Sequence, residues 1–338
     1  MTAPLPPRFL ATVMVVILLF STLQAAESLK LDNFKKLVLP AHGGESFAFD
    51  SKGYGPYTGV SDGRVVKYLG PEKGFVDFAT TSAKRTKEQC DGSTDIDLEP
   101  ICGRPMGLAF NHRTGELFVN DARKGPMVVG PEGGLATHLD HNNPDLVGVP
   151  TDLPDGLDVD PVTDTVFFTY VGPIFLSNDI TKILESGDTS GRLMKYNPDT
   201  KKVTLALDGL SGPIGVSASK DGSFVLIPEY ITRTIRKFWL KGPKANTSEV
   251  LVKLPGHPHN VKRTESGDFW VAETLPSVPF GRKINADGQI LDSVRLDSEY
   301  ENELISEVNE HLGSLYIGGG YTNFVGVFRG FSEIKDEF

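Results

Sequence analysis

The sequence predicts an all-β chain folded as a single six-bladed β-propeller, and three observations carry that prediction. A strand–turn–strand unit recurs six times, further strand-like segments lie between the units, and 36 glycines and 23 prolines are spread along the chain instead of pooling in linkers. Many short strands joined by turns demand such a spread, because Gly supplies positive φ and Pro presets a turn. The clearest units are LAFNHRTGELFVND at 108–121, LDVDPVTDTVFFTY at 157–170, VSASKDGSFVLIPE at 216–229 and VKRTESGDFWVAE at 261–273. Weaker copies begin at Phe47 and Val308. Each alternates apolar and polar residues, turns on Gly or Asp, and alternates again, the period of a strand with one buried face. The starts Phe47, Leu108, Leu157, Val216, Val261 and Val308 lie 45 to 61 residues apart, the repeat length of propeller blades.

Taken in chain order, Arg8 precedes an apolar run from Phe9 to Phe20 and the small pair Ala25–Ala26. That layout is a signal peptide over residues 1–26; the run is shorter than the roughly 20 residues that span a bilayer, and an uncleaved anchor is the alternative. FKKLVLP at 34–40 has no blade of its own and is expected to complete the last blade, closing the ring and removing open sheet edges. Outer strands follow the units, as in GRVVKYL at 63–69, GRLMKYN at 191–197 and TIRKFWL at 234–240. DITKILESG at 179–187 suits a short helix on a blade connection. The propeller then covers 27–330, and 331–338 is an acidic tail whose KDEF ending approaches an ER-retention signal without its final Leu.

A formal charge of −10 argues against nucleic acid or an anionic membrane as partner and leaves a small molecule as the expected ligand. Oligomeric state is not legible. Cys90 and Cys102, the two cysteines, suit a disulfide closing a short loop in an oxidising compartment, with a catalytic thiol or metal pair as the alternative. Asn246-Thr247-Ser248 is a glycosylation sequon consistent with that compartment.

The blades resemble plant strictosidine synthase and its like-named relatives. The matching stretches are YTGVSDGRVVKYLGPEKGFVDFA at 57–79, CGRP at 102–105, GRLMKYNPDTKKVTL at 191–205, DGSFVLIPEY at 221–230, FWLKGPKANTSEVLVKLPG at 238–256, NVKR at 260–263 and SEVNEHLGSLYIG at 306–318. The likeness implies the same six-bladed fold, the Cys90–Cys102 disulfide, and a vacuolar destination, with extracellular space or ER lumen as alternatives. The family's condensation of an amine with an aldehyde uses a glutamate near the final blade, and Ser306 stands in its place. A hydroxyl cannot hold and return a proton as a carboxylate does. The pocket is also refitted at Met106, where the family has tyrosine, and at Phe280, where it has histidine, while the aromatic at Tyr230 is kept. Glu307 and Glu303 are the nearest carboxylates, and Glu307 is expected to face away from Ser306 in a strand.

Propeller ligands sit where the innermost strands begin, which here reads Glu45, Met106, Asp155, Ile214, Asn260 and Ser306. Glu45, Asp155 and Asn260 are oxygen ligands suited to calcium, and they match metal-binding positions in calcium-dependent lactonases and esterases of broader kinship, with Ile214 as the departure. Asp before Gly is also ordinary turn chemistry. A bound cation would polarise an ester or lactone carbonyl, with Glu229, Glu273 or Asp121 as the base that activates water; each also suits a strand end. His257 and His259, two apart in GHPHN, could serve a metal, with exposed residues of a Pro-bounded loop as the alternative, and His259 beside Asn260 is the one singled out; no Gly-x-Ser-x-Gly elbow occurs. The sequence reading is therefore a metal-assisted ester or lactone hydrolase, ahead of a condensing enzyme of alkaloid type and of a non-catalytic binding protein.

Overall fold

The computed structural model describes residues 33–139, 153–176, 180–275, 277–301 and 303–329; the signal segment and the acidic tail fall outside them. The described chain forms six sheets in a ring, each built on four antiparallel strands. Blade 1 runs outward through Gly43–Ala48, Tyr57–Val60, Arg64–Tyr68 and Phe75–Thr80, and blade 2 through Pro105–Phe110, Leu117–Asp121, Gly125–Val129 and Thr137–His138. Blade 3 comprises Pro154–Val159, Val166–Tyr170, Gly191–Asn197 and Lys202–Leu210, and blade 4 Ser217–Ala218, Phe224–Glu229, Thr234–Trp239 and Ser248–Lys253. Blade 5 comprises His257–Arg263, Phe269–Leu275, Val278–Ile284 and Ile290–Arg295. All six predicted unit starts lie in or beside an innermost strand.

Blade 6 holds Glu307–His311, Ser314–Gly318 and Phe324–Arg329, and its outer strand is Lys35–Val38, paired antiparallel with Phe324–Val327. The orphan segment at 34–40 thus closes the ring as expected, pairing the edge that blade 6 would otherwise expose. Ile180–Glu185 is the short helix read from the sequence. Gly134–Leu135 adds a parallel strand to blade 1 and ties it to blade 2.

Alternation within the strands buries one apolar set between each pair of adjacent blades. Leu108, Leu117 and Val119 pack on Val65 and Ala79 between blades 1 and 2, and Trp270, Ala272 and Val294 pack on Val308, Leu315 and Phe328 between blades 5 and 6. Polar cross-links run along the same pattern. Arg64, Arg236 and Arg282 on third strands pair with Asp62, Glu229 and Glu273 at 2.5, 3.0 and 2.5 Å. In blades 1, 4 and 5 this pair holds the third-strand Arg, while Arg192 in blade 3 stands over the Tyr170 ring at 5.5 Å.

Candidate functional site at the channel mouth

Register aligns the inner strands. Pro105, Pro154 and Pro258 face Asp121, Tyr170 and Glu273, and pairing resumes at Gly107, Leu157 and Val261, opposite Asn120, Phe168 and Val271. Pro213 faces Glu229 in the same way. The first residue after each proline leaves the register, and it is Met106, Asp155, Ile214 or His259. The second is Gly107, Gly156, Gly215 or Asn260. The mouth position of blade 5 is therefore His259, one residue before the Asn260 expected from sequence. Small residues fill the second place because the inner strands nearly touch: a Cβ on Gly156 would stand 2.5 Å from Gly215 Cα. Asn260 is accommodated by donating its Nδ2 to the Glu45 carbonyl at 3.1 Å.

Glu45 and Asp155 bring two carboxyls to this mouth, 8% and 6% exposed. Burial raises the proton affinity of both. Glu45 is lifted to about 7, and Asp155 rises well above the usual carboxylate range, pushed first by burial and then by the charge of Glu45. Arg104 opposes the shift at each. Asp155 Oδ1 is buried and has no hydrogen-bond partner among the described residues. Both Arg104 and Glu45 flank Gly320, where a Cβ would meet Glu45 Oε2 at 2.4 Å and Arg104 Nη2 at 3.8 Å; the glycine leaves room for the two charges. Ser306 donates its hydroxyl to the Glu45 carbonyl at 2.9 Å.

One wall of the mouth is apolar, formed by Val171, Phe175, Leu184, Ile214 and Tyr230. The Tyr230 ring meets His257 and His259 at 4.9 and 5.2 Å between centroids. Burial and the neighbouring His257 lower His259 to about 4, so its ring is neutral near pH 7. Its Nε2 is buried without a hydrogen-bond partner among the described residues. Met106 is half-buried at its ring position. Phe280 stands apart from the ring on the third strand of blade 5, with the Arg282 guanidinium 4.7 Å from its centroid.

Glu229, Glu273 and Asp121 are fully engaged elsewhere, which corrects their reading as bases. Glu229 accepts from Ser211 N, Thr234 and Arg236, and Glu273 from Gly256 N and Arg282. Asp121 accepts from Thr81 Oγ1 and from the backbone of Arg104, Arg123 and Lys124. Each carboxylate ties the segment entering an inner strand to the second strand of its blade. Deeper in the channel, Glu307 accepts Phe47 N at 2.8 Å and pairs with Lys262 at 3.5 Å, while Lys262 Nζ also reaches Leu108 O on blade 2. This bar crosses the channel. Beyond it a cavity of about 890 Å³ opens at the opposite face, lined in part by Phe47, Phe49, Phe110, Lys262, Arg263 and His311.

The oxygen set expected to hold calcium does not fit that ion. Asn260 lies outside the ring position and bonds backbone, Ile214 offers no donor, and Arg104 already places positive charge beside both carboxyls. Among the described residues no group of three or more His, Cys, Asp or Glu could hold a metal ion. Arg104 is the mouth residue that sequence reading missed, whereas His259 was singled out as a histidine beside Asn260 but not placed at the mouth. CGRP was visible as a motif, and GHPHN as a histidine pair, but neither string says which side chain turns inward. Cys90 and Cys102 are bonded as expected, with Cα atoms 5.7 Å apart, and among the described residues no helix is long and apolar enough to cross a membrane.

Residues 155–243 match the strictosidine synthase family model. Strictosidine synthase-like protein 12 of Arabidopsis thaliana is 42% identical over 324 residues, covering 94% of this chain and 96% of its own. Strictosidine synthase of Catharanthus roseus is 39% identical over 298 residues, covering 85% and 84%. Among solved structures, a gluconolactonase from Xanthomonas campestris superposes with a TM-score of 0.62 at 16% identity, covering 89% of this chain and 90% of that one, a likeness of fold alone.

Proposed function

This chain belongs to the strictosidine synthase family, and from that premise we propose that its channel mouth hydrolyses an ester or lactone of a small organic molecule by paired-carboxyl catalysis. The observation that carries the reading is the Glu45–Asp155 pair, two carboxyls buried together beside a single guanidinium. With Arg104 as counter-charge, one shared proton brings the group to neutrality. Like carboxyls in one site titrate as a pair, one holding the proton while the other is ionised. The ionised member takes a proton from water as its oxygen bonds to the carbonyl carbon, and the protonated member gives its proton to the carbonyl oxygen. Collapse of the tetrahedral intermediate breaks the bond to the alkoxy oxygen, which takes the proton now held by the first carboxyl and leaves as the alcohol, while a hydroxyl proton on the carbon returns to the second carboxylate. Acid and alcohol account for every atom of ester and water, and the pair ends with the one proton it began with. The apolar wall around Tyr230 holds the body of the substrate and excludes water from one side.

Amine–aldehyde condensation is the activity implied by the family resemblance. Its proton-carrying position is Ser306 here, and that hydroxyl is engaged with the Glu45 carbonyl. The test is a screen of esters and lactones with calcium present and with chelator. Expected is turnover that survives chelation and falls at least about 100-fold in Glu45→Gln and in Asp155→Asn, the usual worth of acid–base catalysis. Turnover abolished by chelator and restored by calcium would instead make the carboxyls metal ligands.

We also place the chain in the secretory pathway, in the vacuole by family likeness. The disulfide and the exposed turn that carries Asn246 support this. Expected is an Asn-linked glycan on the protein expressed in plant cells: glycosidase treatment should lower its mass, and Asn246→Gln should abolish that change. An unaltered mass in the wild type would refute it.

A further inference from the structure

We propose that Glu99, carried on the loop closed by the Cys90–Cys102 bridge, restrains Arg104 and keeps its guanidinium from closing an ion pair on Glu45 and Asp155. The inference rests on the paired-carboxyl reading and adds a positioning residue that acts through Arg104. Glu99 begins the short helix Glu99–Cys102. Its Oε2 accepts from Arg123 Nε at 2.8 Å, and its Oε1 lies 3.8 Å from Arg104 Nε. The Arg104 side chain is only 10% exposed, and Nη2 donates to Gly320 O at 2.8 Å. Within 4.0 Å the carboxylate that Arg104 meets among the described residues is Glu99, although Glu45 flanks the same glycine.

The loop around Glu99 is a fixed bracket. Gly92 N donates to Asp62 Oδ2 at 2.9 Å, Ser61 Oγ to Ser93 O at 2.7 Å, Ser82 Oγ to Ile101 O at 2.5 Å and Lys124 Nζ to Pro100 O at 2.6 Å. Asp121 Oδ2 accepts the Arg104 backbone N–H at 2.7 Å, so the main chain of Arg104 is pinned independently of its side chain. Between the disulfide and Arg104, Gly103 takes φ +94°, and a Cβ there would stand 2.1 Å from Thr81 Oγ1. The guanidinium is thus held between an outer anion and an inner carbonyl. An unrestrained Arg104 would turn fully on the carboxyl pair, ionise both members and remove the proton that general-acid catalysis needs.

The groups that face Glu45 are Asp155, Arg104, Glu307 with its partner Lys262, and the Ser306 hydroxyl, and all are unchanged in Glu99→Gln. The experiment follows melting temperature against pH for the full chain, taking as the signature of the pair the transition that Glu45→Gln removes. In Glu99→Gln the midpoint of that transition should fall by about one pH unit, a tenfold change in proton affinity, while stability at pH 5, where the pair is protonated, stays close to wild type. Arg104→Met should move the midpoint upward, and adding Glu99→Gln to it should have no further effect on the midpoint. An unmoved midpoint in Glu99→Gln, or an equal loss of stability at every pH, would overturn the positioning role. If the wild type shows no transition that Glu45→Gln removes, the paired-carboxyl reading fails, and this inference falls with it.

Discussion

Raising the pH from about 5 to 8 should lower the melting temperature of the wild-type protein by several degrees, and Glu45→Gln should be the more stable of the two at pH 8. Burial raises the folded-state proton affinity of Glu45 from an ordinary 4.5 to about 7. The folded protein then binds this proton more tightly than the unfolded chain does. The associated stability is complete below pH 4.5 and is lost as pH rises through 7. At about 1.4 kcal/mol per unit the loss is about 3 kcal/mol at most, or about 6 °C for a chain of this size. Asp155, Asp121 and Glu307 are raised by burial too and add to the slope. His259, depressed to about 4, contributes in the opposite sense between 4 and 6.5. The informative quantity is therefore the difference between wild type and Glu45→Gln, followed by thermal unfolding across that range. Superposable profiles would mean that Glu45 carries no buried proton, and the catalytic reading would lose its foundation.

Glu273→Ala should destabilise the fold by about 3–5 kcal/mol, the usual result of removing one partner from a buried ion pair. Glu273 is fully buried, with Arg282 at 2.5 Å and the Gly256 amide on its other oxygen. Its removal leaves a guanidinium that is 14% exposed and a buried N–H without their acceptor. Denaturant unfolding measures the loss. A variant that keeps wild-type stability while losing activity would restore Glu273 as a catalytic base. Glu229, held by Arg236 and Ser211 N, is expected to behave in the same way.

These two carboxylates show where sequence reading stops. Both close a repeat unit in the sequence, as Glu229 does in FVLIPE, and an acid there reads equally well as a solvent-facing residue or a base. What decides is the Arg on the next strand and the amide of the incoming loop, which the sheet brings together. Asp155 and Glu45 were legible as mouth residues because Pro and Gly mark the start of each inner strand. Asn260 was placed one residue off because His and Asn stand side by side as polar candidates, and it is the register between Pro258 and Val261 that puts His259 in the place Asp155 takes between Pro154 and Leu157.

By itself the sequence determined the repeat, the six-blade count, the closing strand at 34–40, the disulfide and the absence of a carboxylate at Ser306. Each of these is local, readable as apolar alternation, spacing or residue identity. Only the tertiary structure decided that Glu45 and Asp155 share one buried mouth, that Arg104 stands beside them under the restraint of Glu99, and that Lys262 and Glu307 bar the channel. These groups come from blades far apart in the chain. Their proton affinities arise from burial and mutual charge, which exist only once the ring has closed.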